Sequence, residues 1–282
     1  KLTDLADCQK AELFGRKLAQ KRVAQHGSMM GFLYVDGHVR IYHGKRRIPK
    51  TYSTRLRMAL PATTDYWVND KAGDPVFVVT AEFNEALTTM LPRILEEARC
   101  VVGPKRRITI VFDRGGWSPK LFLKLIRAGF DILTYRKGRW RAIALKAFVT
   151  CHQTIEGRKV SYTLNDRNIR LLKGQLRLRQ ITRLSPGGHQ TPVVTSRKDL
   201  TAVILAYRMF GRWRQENFFK YMLEEYALDA LADYQEESED PERLTPNPMR
   251  RKLGKQLASA RTKLQKMEAL YGEAAINNKG KL

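Results

Sequence analysis

The spacing of apolar positions along the chain changes several times, and each change marks an element. Residues 1 to about 27 carry charges on most faces, with Leu13, Phe14, Leu18 and Val23 as apolar positions, and predict a helical segment. Gly31-Phe32-Leu33-Tyr34-Val35 is a short apolar run that stops at Asp36-Gly37, which predicts a strand and a tight turn. Val39 to Gly44 alternates and reads as the returning strand of a hairpin; Val76 to Thr80 is a third strand. Between 84 and 98, Leu87, Met90, Leu91, Ile94 and Leu95 recur at helical spacing. Ile108 to Phe112 is a buried-type strand that ends on Asp113. Ser118 suits an N-cap and Pro119 a first helical position, so a helix runs to about residue 128. Asp131 to Tyr135 is a fifth strand. The order β-β-β-α-β-α-β predicts a mixed α/β layer.

From Trp140 the period shortens. Alternating stretches over 142–149, 159–164, 175–184 and 192–195 predict a β-rich insertion. A helix then resumes at Asp199 and runs through Glu216 to about Ala232. After an acidic, proline-containing stretch (236–248), Leu253, Leu257, Ala260, Leu264, Met267 and Tyr271 alternate by four and three on a basic helix. That is heptad spacing over few heptads, and it reads as an amphipathic helix docked on the core. The chain divides on this reading into an N-terminal helical segment (1–30), a core (31–139), the insertion (140–197), a second part of the core (198–233), and a linker with its basic helix (234–282).

Charge narrows the partners. Lys and Arg number 52 against 28 Asp and Glu, a formal net charge of +24, while 43% hydrophobic residues support a folded core. Self-repulsion of that size works against compaction and makes sense for a protein that meets a polyanion, nucleic acid first. No apolar run approaches the roughly 20 residues of a spanning helix, so no membrane role is expected. The N-terminus has no apolar leader and no initiator Met, and reads as a processed or cut end. Cys8, Cys100 and Cys151 are widely spaced and form no zinc pair, which fits a cytoplasmic setting.

Three acids stand out. Asp36 and Asp113 end predicted strands, where functional groups gather in α/β sheets, although a lone Asp-Gly is ordinarily a turn-former. Glu216 lies at spacings of seven, three and seven from Met209, Phe219 and Leu223, so it shares a face with apolar side chains. A carboxylate aimed at the protein body is costly unless it is paired, with Arg212 or Lys220 one turn away, or holds a cation. Three such groups make an oxygen-rich pocket for Mg²⁺ or Mn²⁺, two ions about 4 Å apart being the arrangement used in phosphoryl transfer. Basic clusters recur at Lys45-Arg46-Arg47, Lys105-Arg106-Arg107, Arg136 to Arg141 (with Arg139 and Arg141), Arg177/Arg179/Arg183, Arg212-Trp213-Arg214 and Arg250-Arg251-Lys252. Trp117, Trp140 and Trp213 lie beside them; such rings stack on unpaired bases when exposed and join the core when buried.

Tyr34-Val35-Asp36-Gly37, Val111-Phe112-Asp113-Arg114-Gly115 and Arg212-Trp213-Arg214-Gln215-Glu216-Asn217-Phe218-Phe219-Lys220 resemble the three catalytic motifs of bacterial insertion-sequence DDE transposases. The branch they resemble carries a β-rich insertion between the second aspartate and the glutamate helix, and Val193-Val194-Thr195-Ser196 is similar to it too. The resemblance implies an RNase H-like mixed sheet flanked by helices, with Asp36, Asp113 and Glu216 as metal ligands. It implies action on terminal inverted repeats and target DNA, within a dimer or larger assembly on the bacterial nucleoid. Arg212 and Lys220 would contact DNA near the cleaved end, supported by Arg214, Trp117, Trp213, Arg139 and Arg141. The chain departs from the pattern at Met209, where the family typically has a tyrosine; Tyr207 lies two residues upstream. An RNase H-like nuclease or resolvase, and a non-catalytic nucleic-acid-binding relative, are the alternatives.

Overall fold

The computed structural model describes residues 8, 10–42, 47–53, 57–81, 85–211, 220–222, 224–225 and 248–278. It divides into two units, Lys1–Tyr234 and Gln235–Leu282.

The first unit is built on one mixed sheet. β1 (Phe32–Ile41) runs antiparallel to β3 (Met58–Asn69) and parallel to β5 (Ile108–Phe112), which is parallel to β6 (Phe130–Tyr135). On one flank β2 (Lys50–Ser53) and β4 (Pro75–Ala81) pair with successive parts of β3. On the other, β10 (Gln190–Thr195) lies antiparallel to β6 and is followed outward by β9 (Leu176–Leu184), β8 (Arg158–Leu171) and β7 (Val149–Ile155). The strands of the sequence-predicted insertion therefore continue the core sheet through the β6–β10 ladder. This is the expected mixed α/β class, a large sheet flanked by helices.

Because successive strand residues point to opposite faces, the sheet buries two separate sets of side chains. Leu33, Val35, Ile110 and Phe112 join α2 (Leu87–Val102) and α3 (Pro119–Arg127) in one cluster, with Ala19 and Val23 of α1 (Ala11–Gln25). Tyr34, Val111, Leu133 and Val193 join α4 (Ala202–Phe210) in the other, through Val203, Leu205, Ala206, Tyr207 and Met209. Local signals set the helix ends. The Ser118 hydroxyl accepts from the Leu121 amide ahead of Pro119, and the Thr201 hydroxyl accepts from Ile204 at the start of α4.

Two expectations are corrected. Asp36-Gly37 is no turn: β1 runs through it, with Asp36 opposite Trp67 and Gly37 opposite Tyr66. A two-residue hairpin turn needs positive φ at its centre, and Gly37 does not adopt it. The partner of β1 is instead β3, a strand absent from the predicted order. Its alternation of Leu60, Ala62, Thr64, Tyr66 and Val68 is the period-2 signal that marks it. A true two-residue turn occurs at Glu156-Gly157, between β7 and β8, where φ is 52° and 75°.

The second unit contains α5 (Pro248–Asn278), 31 residues long. Its heptad positions are exposed rather than buried, from 54% at Leu257 to 79% at Tyr271. No described helix is long and apolar enough to cross a membrane.

Candidate active site

Strand register brings the two aspartates together. Val35 pairs with Phe112 across the parallel β1–β5 ladder, so Asp36 and Asp113 are the next residues on neighbouring strands. Strands lie about 4.8 Å apart, and alternation turns both positions toward the face of Tyr34 and Val111, the face that α4 covers. Phe112 in turn pairs with Thr134, which extends the same row to Tyr135. Asp36, Asp113 and Tyr135 thus form one row across three parallel strands, at the carboxyl ends of β5 and β6 and at the point where β1 runs on past them; α/β sheets carry binding crevices at such strand ends.

The loop after β5 is shaped around Asp113. Its Oδ1 accepts from the Gly115 amide at 2.8 Å, and its carbonyl accepts from the Thr134 hydroxyl at 3.0 Å. A side chain at either glycine would press on a neighbour, a movable carboxylate at Gly115 and a packed ring at Gly116. A Cβ on Gly115 would lie 2.9 Å from Asp113 Oδ1, and one on Gly116 would lie 2.5 Å from Phe112 Cδ2. Asp36 Oδ1 accepts from the Gly37 amide at 3.0 Å. Tyr66 packs over Gly37 and donates to the Glu85 carbonyl at 2.6 Å. Burial, reinforced by the negative charges of Asp113, Glu85 and Asp36, pushes its phenol up to about 12. It stays neutral beside the acids at any ordinary pH.

α4 is aimed at this end of the sheet. The Tyr34 hydroxyl donates to the Arg208 carbonyl, and Phe210, the last residue of α4, packs on Tyr135 with ring centroids 6.2 Å apart. Tyr162 meets Phe210 from the other side, and Arg183 lies over both rings. Arg114 lies 5.6 Å over the Tyr135 ring. Asp113, Arg114 and Tyr135 line an open cleft of about 270 Å³. A guanidinium and an aromatic face beside a carboxylate in one cleft suit an anionic, ring-bearing ligand chain.

A family model described as "Transposase protein" matches residues 1–281. The chain belongs to this transposase family. Among solved structures it is similar to a piggyBac transposase synaptic complex with hairpin DNA, at 11% identity and a TM-score of 0.44. That match covers 68% of this chain and 40% of the other. It is also similar to a Mos1 transposase paired-end complex with the left transposon end, at 12% identity, TM-score 0.26, and 42% and 39% coverage. A pre-cleavage Mos1 transpososome matches at 11% identity, TM-score 0.25, and 42% and 41% coverage. The chain thus spans about two fifths of the length of these neighbours. No curated protein matches it.

Within this transposase, the expected site residues divide three ways. Asp36 and Asp113 come together as described. Glu216, Arg212, Trp213 and Arg214 lie outside the described residues, and no group of three or more His, Cys, Asp or Glu converges as a metal site among those described. Lys220 is exposed and lies 3.8 Å from Glu224. Arg139 and Arg141 are exposed, whereas Trp117 is half-buried, edge-on to Phe122 at 5.3 Å. Arg114, Tyr135 and Tyr66 were not singled out from the sequence. Arg114 follows the end of β5 directly after Asp113, and Tyr135 is the last residue of β6, a signal that was present; Tyr66 enters only through the β1–β3 register.

Proposed function

We propose that this transposase cleaves DNA strands and joins them to a target by DDE-type, divalent-metal-dependent phosphoryl transfer, with Asp36, Asp113 and Glu216 as the three carboxylates. One observation carries the reading: Asp36 and Asp113 stand on adjacent parallel strands, on the face covered by α4, whose last residue packs beside Asp113's neighbour Tyr135. Glu216 follows that helix by six positions in the sequence.

The donors suit the metal. Carboxylate oxygens at the rim of a sheet are hard ligands, and Mg²⁺ or Mn²⁺ prefers them. Two such ions, when bound, supply activation of the attacking water or 3′-hydroxyl and stabilisation of the leaving oxygen. The chain's own residues do the rest. The Gly115 amide holds the Asp113 carboxylate in one orientation, and Arg114 offers its guanidinium to a phosphate entering the cleft. Tyr66, held neutral, closes the site beneath Gly37 without adding charge. Arg212, Lys220, Arg214, Arg139 and Arg141 bind backbone phosphates, and Trp213 and Trp117 border the path.

On this reading residues 31–139 and 198–233 form the catalytic core and 140–197 its insertion. The substrates are terminal inverted repeats and target DNA, and the protein works as a dimer or larger assembly of the bacterial insertion-sequence branch. The test is direct. Purified protein nicks end-containing DNA with Mg²⁺ or Mn²⁺, pre-cut ends bearing a 3′-hydroxyl become joined to target DNA, and Glu216→Gln abolishes both. Cleavage without joined product reassigns the protein as a nuclease; unchanged activity in Glu216→Gln removes that residue from the site.

A further inference from the structure

We infer that Arg136 and Arg167 together hold one phosphodiester of a DNA backbone, on the sheet face opposite the acids and outside the cleft. The inference rests on DNA as the partner and not on the metal chemistry.

Strand register assembles the site. Phe112, Thr134, Val194, Gln180 and Arg167 stand opposite one another on β5, β6, β10, β9 and β8, and so form one row on one face. That face carries the first cluster, which includes Phe112 and Val194. Asp113, one residue beyond Phe112, turns to the other face. Arg136 follows Thr134 by two positions and returns to the face of Arg167. Its amide donates to the Pro192 carbonyl, which extends the β6–β10 ladder. Its side chain crosses β10 and donates from Nη1 to Gln180 Oε1 on β9. Gln180 is fully buried, and its Nε2 donates at 3.0 Å to the hydroxyl of Thr182, also fully buried. A fixed amide thus aims the Arg136 guanidinium toward the strand position that Arg167 occupies.

The two charges lack a counter-ion. Arg136 is half-buried, and burial together with the positive charge of Arg167 lowers its pKa. Among the described residues no carboxylate pairs with either guanidinium. Asp166 is next to Arg167 in the chain and therefore faces the other way, where Arg179 donates to both its oxygens at 2.6 to 3.1 Å. A half-buried cation without a partner is costly, and a second one beside it adds repulsion. A bound anion relieves both, and guanidinium forks match the oxygens of a phosphate. The neighbours favour a phosphate in a chain. Tyr135 lines the cleft on one face and Arg136, the next residue, serves the other, so a backbone passing over the carboxyl end of β6 meets both.

Fluorescence anisotropy on the full chain with an end-containing duplex, in the presence of chelator, tests this apart from cleavage. Arg167→Gln removes an exposed side chain and leaves the melting temperature unchanged. It weakens binding about five- to tenfold at physiological salt, and lowers the slope of log affinity against log salt by about 0.9, one phosphate's worth. Arg127→Gln removes the same charge from the exposed last turn of α3, beside the start of β6, and changes both quantities much less. Adding Arg136→Gln to Arg167→Gln costs little more, because one phosphate serves both groups. An Arg167→Gln variant that binds like Arg127→Gln overturns the inference, as does a double variant whose losses add. A wild-type chain that binds no DNA overturns the choice of ligand and the transposition reading together.

Discussion

The Tyr34 hydroxyl donates to the backbone carbonyl of Arg208 at 3.0 Å, in a buried setting. This bond ties β1, two residues before Asp36, to the last turn of α4. Tyr34→Phe removes the donor and leaves the carbonyl of a helix end without its partner. It should destabilise the protein by about 1–2 kcal/mol in urea unfolding, with the fold retained. If Glu216 is set by α4, catalytic rate falls in the same variant while DNA affinity does not.

Asp36→Asn and Asp113→Asn each keep the shape of the side chain and remove a charge. Cleavage should fall about a thousandfold or more in either, since the proposed mechanism draws several kcal/mol of transition-state stabilisation from metal held by these two carboxylates. A chelator should stop cleavage equally. DNA binding, driven by the +24 surface, should persist with chelator and weaken steeply with added salt. Binding lost on chelation would contradict a separation of basic surface from acidic site.

Gly115 and Gly116 test the loop by contact. Gly115→Ala presses a methyl against Asp113 Oδ1, and should lower the turnover number with little change in melting temperature. Gly116→Ala drives into the Phe112 ring and should cost about 1–3 kcal/mol of stability instead. Equal stability losses in both would show that the loop, and not the carboxylate, absorbs the strain.

The hairpin tip at Glu156 is bound to α4. The Arg208 guanidinium lies 2.6 Å from Glu156 Oε1, and the Tyr207 hydroxyl donates to Oε2 at 3.3 Å. The Arg208 side chain is 9% exposed and that of Glu156 33%. Glu156→Gln should cost about 1–3 kcal/mol, mostly through the buried guanidinium it leaves uncompensated. A double-mutant cycle with Arg208→Met should return a coupling of about 1 kcal/mol or more; additive losses would mean the two groups act separately.

Asp199 gives a pH signature. A hydrogen bond from Arg197, with the charges of Arg197 and Arg107, holds its carboxyl down from 3.8 to about 2. A depressed folded-state pKa contributes stability above the unfolded value, and that contribution is lost as pH falls from about 4 toward 2. Asp199 is exposed enough for solvent to screen the effect, so the loss is modest. Asp199→Asn should flatten the acid limb of the stability curve over that window; an unchanged limb would show that the Arg197–Asp199 pair does not set it.

How much of this was legible beforehand depended on how local each signal is. Strands β5 and β6, the Ser118-Pro119 helix start and the heptad spacing of α5 were readable because a few adjacent residues carry each one. Asp36 and Asp113 were readable as candidates because each ends an apolar run. The same local reasoning failed at Asp36-Gly37, where turn chemistry was overruled by a ladder with a strand some thirty residues away.

Composition and motif spacing by themselves determined the α/β class, the polyanion-seeking charge and the family resemblance. Tertiary structure alone decided that Asp36 and Asp113 are neighbours, that the β-rich segment extends the sheet through β6, and that Tyr66, Arg114 and Tyr135 surround the acids. The reason is physical: period and charge are properties of consecutive residues, whereas strand register is chosen by which distant strand buries the better face.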